Sequence, residues 1–179
     1  MRSRLALTDL ALCSLFAALI ALCSWIAIPA PVPFTLQSLG VFAALTVLGG
    51  KRGLIAVLLY LLLGAVGVPV FAGFQGGIGV FFGATGGYLL GFVLAAVVYT
   101  LLAAPPCSIG RQAVALILGQ LLCYMTGVLW FVAVYTRAGE SIGFATAMLG
   151  CVIPFVVPDG IKLWLALVLG RRVSRHISF

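Results

Sequence analysis

The stretch VPDGIKLWLALVLGRR, residues 157–172, places two charges at the head of an apolar run and two more at its end. Asp159 and Lys162 stand three residues apart, and residues 163–170 carry no charge. The same style continues through the 179 residues, of which 64% are hydrophobic and 7% charged. Soluble domains are about 25% charged. The composition predicts an integral membrane protein, because no soluble fold of this length could bury so much apolar surface.

Prolines, glycines and charges divide the chain into about six apolar spans, which predicts an all-α membrane protein. The expected spans are about 8–28, 35–48, 53–66, 85–104, 111–135 and 144–170. The second and third are short, since about fourteen residues rise about 21 Å against a hydrocarbon core of about 30 Å. Pro154 and Pro158 interrupt the last span, and we expect its main helix to start at Pro158 and Asp159, at the outer side.

The first apolar stretch allows a second interpretation. Residues 1–25 have a basic start and an apolar core, as a cleaved signal peptide does. The rest of the chain continues in the same apolar style, with no soluble domain to export. We therefore interpret this stretch as the first transmembrane helix.

The basic residues predict an orientation. With six spans and the N-terminus inside, eight of the ten basic residues fall on the cytoplasmic side, as the positive-inside rule expects. These are Arg2, Arg4, Lys51, Arg52, Arg111, Arg171, Arg172 and Arg175. Both termini are then cytoplasmic. The net charge of +7 is explained by topology and anionic lipid, and nucleic acid is not expected as a partner.

Cysteine and histidine usage indicates no metal site. The five cysteines include no C-x-x-C pair, and four of them lie in apolar runs, where they resemble small buried hydrophobes. His176 stands alone in the basic tail and is expected to be solvated.

Three irregular segments, 29–37, 71–88 and 154–162, fall on the outer side in this topology. Irregular backbone at membrane depth is tolerated where it lines a cavity, so we expect an outward-facing pocket. The glycine-rich segment 71–88 lacks the G-x-x-x-x-G-K-[ST] pattern, and nucleotide binding is unsupported. Its glycines fit a loop folded over a ligand, or tight turns and close helix packing.

Polar residues in these segments are candidates for the pocket. Asp159 and Lys162 lie on one helix face, where they can bind a solute or neutralise each other, and Asp159 also suits a first helical turn. Thr35 and Gln37 fit a rigid turn or a pocket wall. Tyr124, Gly127 and Trp130 form a stripe that fits helix packing or one wall of the pocket.

Small residues in the first span form a second candidate surface. Cys13, Ala17 and Ala21 are spaced by four, and Ser14 and Ala18 form another such pair. This spacing lets another helix approach closely, either within the protein or from a separate membrane protein.

Four segments together resemble the BioY family, the biotin-binding S-components of energy-coupling-factor (ECF) transporters. They are PVPFTLQSLGVF (31–42), LLYLLLGAVGVPVFAG (58–73), GGIGVFFGATGGYLLGF (76–92) and PFVVPDGIKLWLA (154–166). The resemblance implies a single transmembrane substrate-binding domain over residues 1–179, in the cytoplasmic membrane of a prokaryote. It implies biotin uptake with a transmembrane coupling protein and a pair of ATP-binding-cassette ATPases, and no cofactor. An intramembrane enzyme would need a set of acid, base or metal-binding residues, and three acidic residues and one histidine do not provide it, so enzymatic activity is not expected.

The resemblance also implies functional residues. The Cys13, Ala17 and Ala21 face would dock on the coupling protein. Our hypothesis is that Asp159 accepts hydrogen bonds from the ureido N–H groups of biotin, while Lys162 faces the ureido oxygen or the carboxylate tail. The full set of expected biotin contacts is Thr35, Gln37, Phe71, Gly73, Phe74, Gly77, Gly79, Thr85, Gly86, Tyr88, Trp130, Asp159 and Lys162. An ion-coupled transporter of another small solute is the alternative, and the oligomeric state is open.

Overall fold

The computed structural model describes residues 7–104, 107–140 and 142–174. They form eight α-helices: α1 Leu7–Trp25, α2 Gln37–Leu48, α3 Gly50–Ala65, α4 Gly79–Phe82, α5 Gly86–Leu102, α6 Ile109–Arg137, α7 Phe144–Cys151 and α8 Ile153–Ser174. Two short strands lie between α1 and α2 and pair antiparallel: β1 Ala27–Ile28 and β2 Phe34–Thr35. The expectations for Arg2, Arg4, Arg175 and His176 fall outside the described residues.

The helices have the apolar character that a bilayer requires. α1, α6 and α8 are long and apolar enough to cross a membrane, and α2 and α5 are shorter apolar helices. Large apolar side chains point outward, as shown by Leu15, Leu62 and Leu101, which are 63%, 60% and 71% exposed. The prediction of a helical integral membrane protein is confirmed, and the short β1–β2 pairing is an addition that was not predicted.

The predicted start of the last helix was wrong. α7 ends at Cys151, and α8 begins at Ile153 rather than at Pro158. Pro154 occupies the first turn, where the N–H that proline lacks would have no helical partner. Pro158 lies inside α8, and Asp159 therefore lies beyond the first turn. The helix dipole does not account for Asp159, because its effect fades within that turn.

The proposed docking face of α1 is buried inside the protein. Cys13, Ala17 and Ala21 are 1%, 1% and 6% exposed, so a partner cannot reach them in this fold. The Cys13 thiol donates to the Arg52 carbonyl of α3 at 3.4 Å. Small side chains on this face let α1 approach α2 and α3 closely, which was the alternative explanation of the spacing. The second pair, Ser14 and Ala18, is exposed.

Glycines set the distance between α5 and α6, which make the most extensive helix pair in the fold. A Cβ atom on Gly91 would lie 2.7 Å from the Cα atom of Cys123, and one on Gly119 would lie 2.9 Å from the Cα atom of Ala95. Real Cβ atoms do not approach so closely, so both positions require glycine at this helix separation.

The described basic residues of the inner segments gather at one end of the fold. Arg52 forms a 2.8 Å ion pair with Asp9, near the start of α1. The Arg111 guanidinium donates to the Leu102 carbonyl at the end of α5. Thr46, near the end of α2 and close in sequence to Arg52, donates to the Ala166 carbonyl of α8 at 2.9 Å. Because α8 continues from Ala166 toward its C-terminus, Arg171 and Arg172 lie at this end too. Asp159 lies near the opposite end of α8.

Candidate solute-binding site

A cavity of about 980 Å³ lies at the end of the fold away from these basic residues. The β1–β2 loop and the segment between α3 and α5 cover it, and α2, α5, α6 and α8 supply the remaining walls. The three segments that the sequence placed on one side of the membrane do meet here. One of them, 154–162, is helical rather than irregular.

Asp159 is the centre of a buried polar cluster at this cavity. Its Oδ1 atom accepts from Ser38 of α2 at 2.9 Å and from Lys162 at 2.7 Å. Its Oδ2 atom accepts from two residues of α6, Tyr124 at 2.6 Å and Gln120 at 3.0 Å. Four donors from three helices thus compensate one buried carboxylate, as the cost of desolvating a charge demands.

Lys162 is equally well satisfied. Its Nζ atom donates to the Thr35 carbonyl at 2.6 Å, to the Ser38 hydroxyl at 3.1 Å and to Asp159. The ammonium also lies 4.2 Å from the centre of the Phe34 ring, within cation–π range. Asp159 and Lys162 are 6% and 5% exposed, so the pair is a true buried ion pair one helical turn apart.

Gln120 is the member of this polar cluster whose hydrogen-bonding atoms are not all paired within the described part of the chain. Its Nε2 atom donates to Asp159, which fixes the orientation of the amide, because the opposite orientation would set oxygen against carboxylate. Its Oε1 atom is buried and has no hydrogen-bond partner among the described residues. A buried acceptor without a partner costs about 1–3 kcal/mol, so a hydrogen-bond donor placed beside this atom would be stabilised.

A second polar chain supports the cavity from α2 to α3. Gln37, which is buried, donates to the Tyr60 hydroxyl at 2.9 Å, and Tyr60 donates to the Val70 carbonyl at 3.2 Å. Ser24 of α1 donates to the same carbonyl at 2.5 Å. The chain ties the start of the glycine-rich segment to three helices. Gln37 therefore has both a structural partner and a place in the cavity wall.

Aromatic residues line much of the remaining wall. Phe71 is 2% exposed and contacts the Tyr60 ring edge-on at 5.6 Å. Trp25 stacks on Phe74 at 5.0 Å and donates its indole N–H to the Pro69 carbonyl at 2.9 Å. Phe74 has a φ of 58°, a left-handed conformation that non-glycine residues seldom adopt. This conformation holds the exposed Phe74 ring at the mouth of the cavity.

Most of the residues predicted to contact biotin line this cavity. They are Thr35, Gln37, Phe71, Gly73, Phe74, Gly79, Thr85, Tyr88, Asp159 and Lys162. What each of them does with a solute stays a prediction.

Three of the predicted contacts do not line the cavity. Gly77 has a φ of 97° and donates its N–H to the Gly64 carbonyl at 2.7 Å, so it forms a turn. Trp130 donates its indole N–H to the Gly83 carbonyl at 3.0 Å, behind the wall. Gly86 is buried between the Phe81 backbone and Trp130, where a side chain would not fit. These residues shape the glycine-rich segment without reaching the cavity.

Sequence reasoning missed Ser38 and Gln120, and it assigned Tyr124 only to a possible wall. Gln120 and Tyr124 are four residues apart on α6, so a signal existed in their shared helix face. Ser38 follows Gln37 in a helix whose only other polar side chain is Thr46, and it gave no further signal. Among the described residues, no group of three or more His, Cys, Asp or Glu side chains is arranged to hold a metal ion.

The fold and the cavity define the class of protein: a helical integral membrane protein with a large cavity whose wall combines a buried polar cluster with aromatic side chains. The model of the BioY family matches residues 1–179, and the chain belongs to that family. It is 44% identical over 164 residues to "Biotin transporter BioY" of Thermotoga maritima, covering 90% of this chain and 92% of the relative.

Two further comparisons agree with this family. The chain is 36% identical over 170 residues to "Probable biotin transporter BioY" of Pyrococcus horikoshii, covering 93% of this chain and 96% of the relative. The fold matches a crystal structure of the S-component for biotin from an ECF-type ABC transporter with a TM-score of 0.85. That match covers 100% of this chain and 97% of the other, at 25% identity.

Proposed function

We propose that this protein captures biotin outside a prokaryotic cell and is the substrate-specific S-component of an ECF-type transporter. The observation that carries the proposal is the match of the BioY family to the whole chain. The cavity supports it, because its aromatic walls and buried polar cluster suit a solute with an apolar body and a hydrogen-bonding head.

The proposed pose sets the ureido ring of biotin toward the polar cluster. The ring has two N–H donors, which need acceptors once they are buried. Asp159 is the proposed acceptor, and one of its four present donors then has to turn away. The aromatic walls around Phe71 and Tyr88 would cover the apolar thioether ring.

The proposed orientation sets the cavity outward and the basic end inward. The described basic residues at that end are Lys51, Arg52, Arg111, Arg171 and Arg172. Their clustering at the end away from the cavity fits the excess of positive charge that cytoplasmic loops carry. Both termini of the chain would then lie in the cytoplasm.

The proposed partners are a transmembrane coupling protein and two ATP-binding-cassette ATPases. The chain has no G-x-x-x-x-G-K-[ST] sequence, so ATP hydrolysis would have to come from another chain. The exposed Ser14 and Ala18 on α1 present small side chains at a spacing of four, which suits close approach of a partner helix. Transport requires only binding and movement of the cavity, and we assign no catalytic role to any residue.

Uptake of labelled biotin by cells that lack their own biotin transporter tests this proposal. We expect strong uptake when the chain is expressed with the coupling protein and active ATPases, and much weaker uptake when the ATPases carry a substitution of the P-loop lysine. Uptake that persists with inactive ATPases and stops with a protonophore would contradict the proposal and favour an ion-coupled transporter.

A further inference from the structure

The segment between α3 and α5 exposes a group of large apolar side chains at the cavity end of the fold. They are Val66, Val68, Phe74, Ile78 and Phe82, each between 40% and 71% exposed. We call these five side chains the roof face, because the same segment covers the cavity. Residues 53–110 contain no Asp, Glu, Lys, Arg or His, so no charge holds this segment in water. An exposed apolar group of this kind marks a surface that binds a partner.

The roof face includes a ring that is held outward at a conformational cost. Phe74 has a φ of 58°, which a bulky residue seldom adopts, and its side chain stays largely exposed. The ring stacks on Trp25 at the end of α1, at a centroid distance of 5.0 Å. Water would not compensate an exposed ring for this strain, whereas an apolar neighbour would. Tryptophan at a helix end is typical of the boundary between membrane and water.

The length of α3 places the start of the roof face inside the hydrocarbon core. Lys51 and Arg52 lie in the first turn of α3, at the basic end of the fold. Val66 follows Arg52 by about fourteen residues, which rise about 21 Å, whereas the core is about 30 Å thick. With Arg52 at one boundary of the core, Val66 therefore lies about 9 Å short of the other boundary. A tilt of α3 increases that difference.

The contact with α6 gives the depth of the far end of the segment. The Trp130 indole donates to the Gly83 carbonyl at 3.0 Å, so Gly83 lies level with Trp130. α6 continues past Trp130 to Arg137, a rise of about 10 Å. Arg137 and Glu140, both exposed, are the first charges of the chain beyond this level of α6. The segment is therefore recessed by about 10 Å from the charged end of α6.

The roof face is also continuous with the lipid-facing surface of α3. Val66 extends a row of exposed side chains in which Leu58 and Leu62 precede it at intervals of four residues. We infer that the roof face is a lipid-contact surface that lies among the acyl chains of the outer leaflet, so the cavity is recessed below the headgroups. The leaflet follows from the proposed orientation, whereas the depth does not depend on it.

Photo-cross-linking in a bilayer tests this position. Purified full-length protein carries p-benzoylphenylalanine in place of Ile78 or of Phe82 and is reconstituted in nanodiscs of dioleoylphosphatidylcholine. The same replacement of Leu62, exposed on α3, is the control for lipid contact, and that of Glu140 is the control for water. Mass spectrometry of the intact protein counts lipid adducts after illumination. We expect yields at Ile78 and Phe82 close to that at Leu62 and roughly tenfold above that at Glu140, because acyl chains end at the boundary of the core.

Two results would overturn the inference. Adduct yields at both Ile78 and Phe82 as low as that at Glu140 would place the roof face in water. Cross-links to a second copy of the chain in place of lipid would make it a contact between protomers. Ile78 and Phe82 are separate positions, so either variant carries the test if the other does not fold. The measurement needs no biotin, and its outcome is therefore independent of the proposed function.

Discussion

At the scale of the residue, the central feature is the Asp159 carboxylate. Its importance could be predicted from the sequence, but its hydrogen-bond partners could not. Asp159 was identifiable because a charge in an apolar run is expensive and therefore marks a functional site. Its neighbours were not, because Ser38 and Gln120 come from two other helices whose pairing with α8 is a property of the fold. The position of a single polar residue in an apolar helix does not show which residues of other helices it contacts.

The first prediction concerns this carboxylate. Asp159→Asn replaces one acceptor oxygen by an amide nitrogen, so at least one of the present donors loses its partner. We expect biotin affinity to fall at least tenfold and the protein to lose roughly 1.5–3 kcal/mol of stability. Titration calorimetry and thermal unfolding measure the two effects.

Asp9→Asn is the matched control, because Asp9 forms the other ion pair of the described residues at the opposite end of the fold. We expect it to leave biotin affinity unchanged. Wild-type affinity in a folded Asp159→Asn protein would remove Asp159 from the site.

At the scale of the element, the presence of the helices could be predicted from the sequence, but the exact start of α8 and the packing of α1 could not. The turn at Gly49 was correctly placed between the second and third spans, because its φ of 81° favours glycine. The start of α8 was misplaced because two prolines compete for the first turn, and sequence does not show which one occupies it. The spacing of Cys13, Ala17 and Ala21 identified a close helix contact but not which side of α1 it faces.

The second prediction concerns the contact between α5 and α6. A Cβ atom on Gly87 would lie 2.5 Å from the Thr126 carbonyl oxygen and would also overlap Trp130. We expect Gly87→Ala to cost about 1–3 kcal/mol and to lower the unfolding temperature, since backbone atoms cannot move aside cheaply.

Gly150→Ala in α7 is the control for this substitution, because no atom outside the adjoining backbone of its own helix lies within 4 Å of the added Cβ. It should be neutral or stabilising, by up to about 1 kcal/mol. Equal unfolding temperatures for the two variants would show that α5 and α6 are not packed as closely as described.

The third prediction concerns the outward face of α1. Ala18→Trp adds a large side chain to an exposed position, so biotin binding should be retained while co-purification with the coupling protein is lost. The same substitution at Ala133, exposed on α6, should leave both intact. Co-purification of Ala18→Trp at the wild-type level would exclude this face as the docking surface.

At the scale of the whole molecule, composition alone defined a helical membrane protein, and the charges defined its two ends. What composition could not give is the size of the cavity, which depends on how the β1–β2 loop and the segment between α3 and α5 fold over the helices. Loop conformations of this kind are set by contacts such as Trp25 on Phe74 and Lys162 on Thr35, between residues far apart in sequence.

The fourth prediction concerns orientation. A green fluorescent protein fused after residue 179 should fluoresce in bacterial cells, because the basic end is proposed to be cytoplasmic. Alkaline phosphatase fused after residue 140, at the end where the cavity lies, should be active outside. The opposite pair of results would show that the protein has the inverse orientation in the membrane, with the cavity facing the cytoplasm.

The most direct test of the account is equilibrium binding of biotin to the purified protein, measured together with thermal unfolding against a panel of vitamins. A ligand that binds the folded state stabilises it by RT ln(1 + [L]/Kd), so biotin should bind saturably and raise the unfolding temperature at concentrations well above Kd. Other vitamins should leave that temperature unchanged. Stabilisation by a different vitamin, or no binding of biotin by the folded protein, would contradict the account.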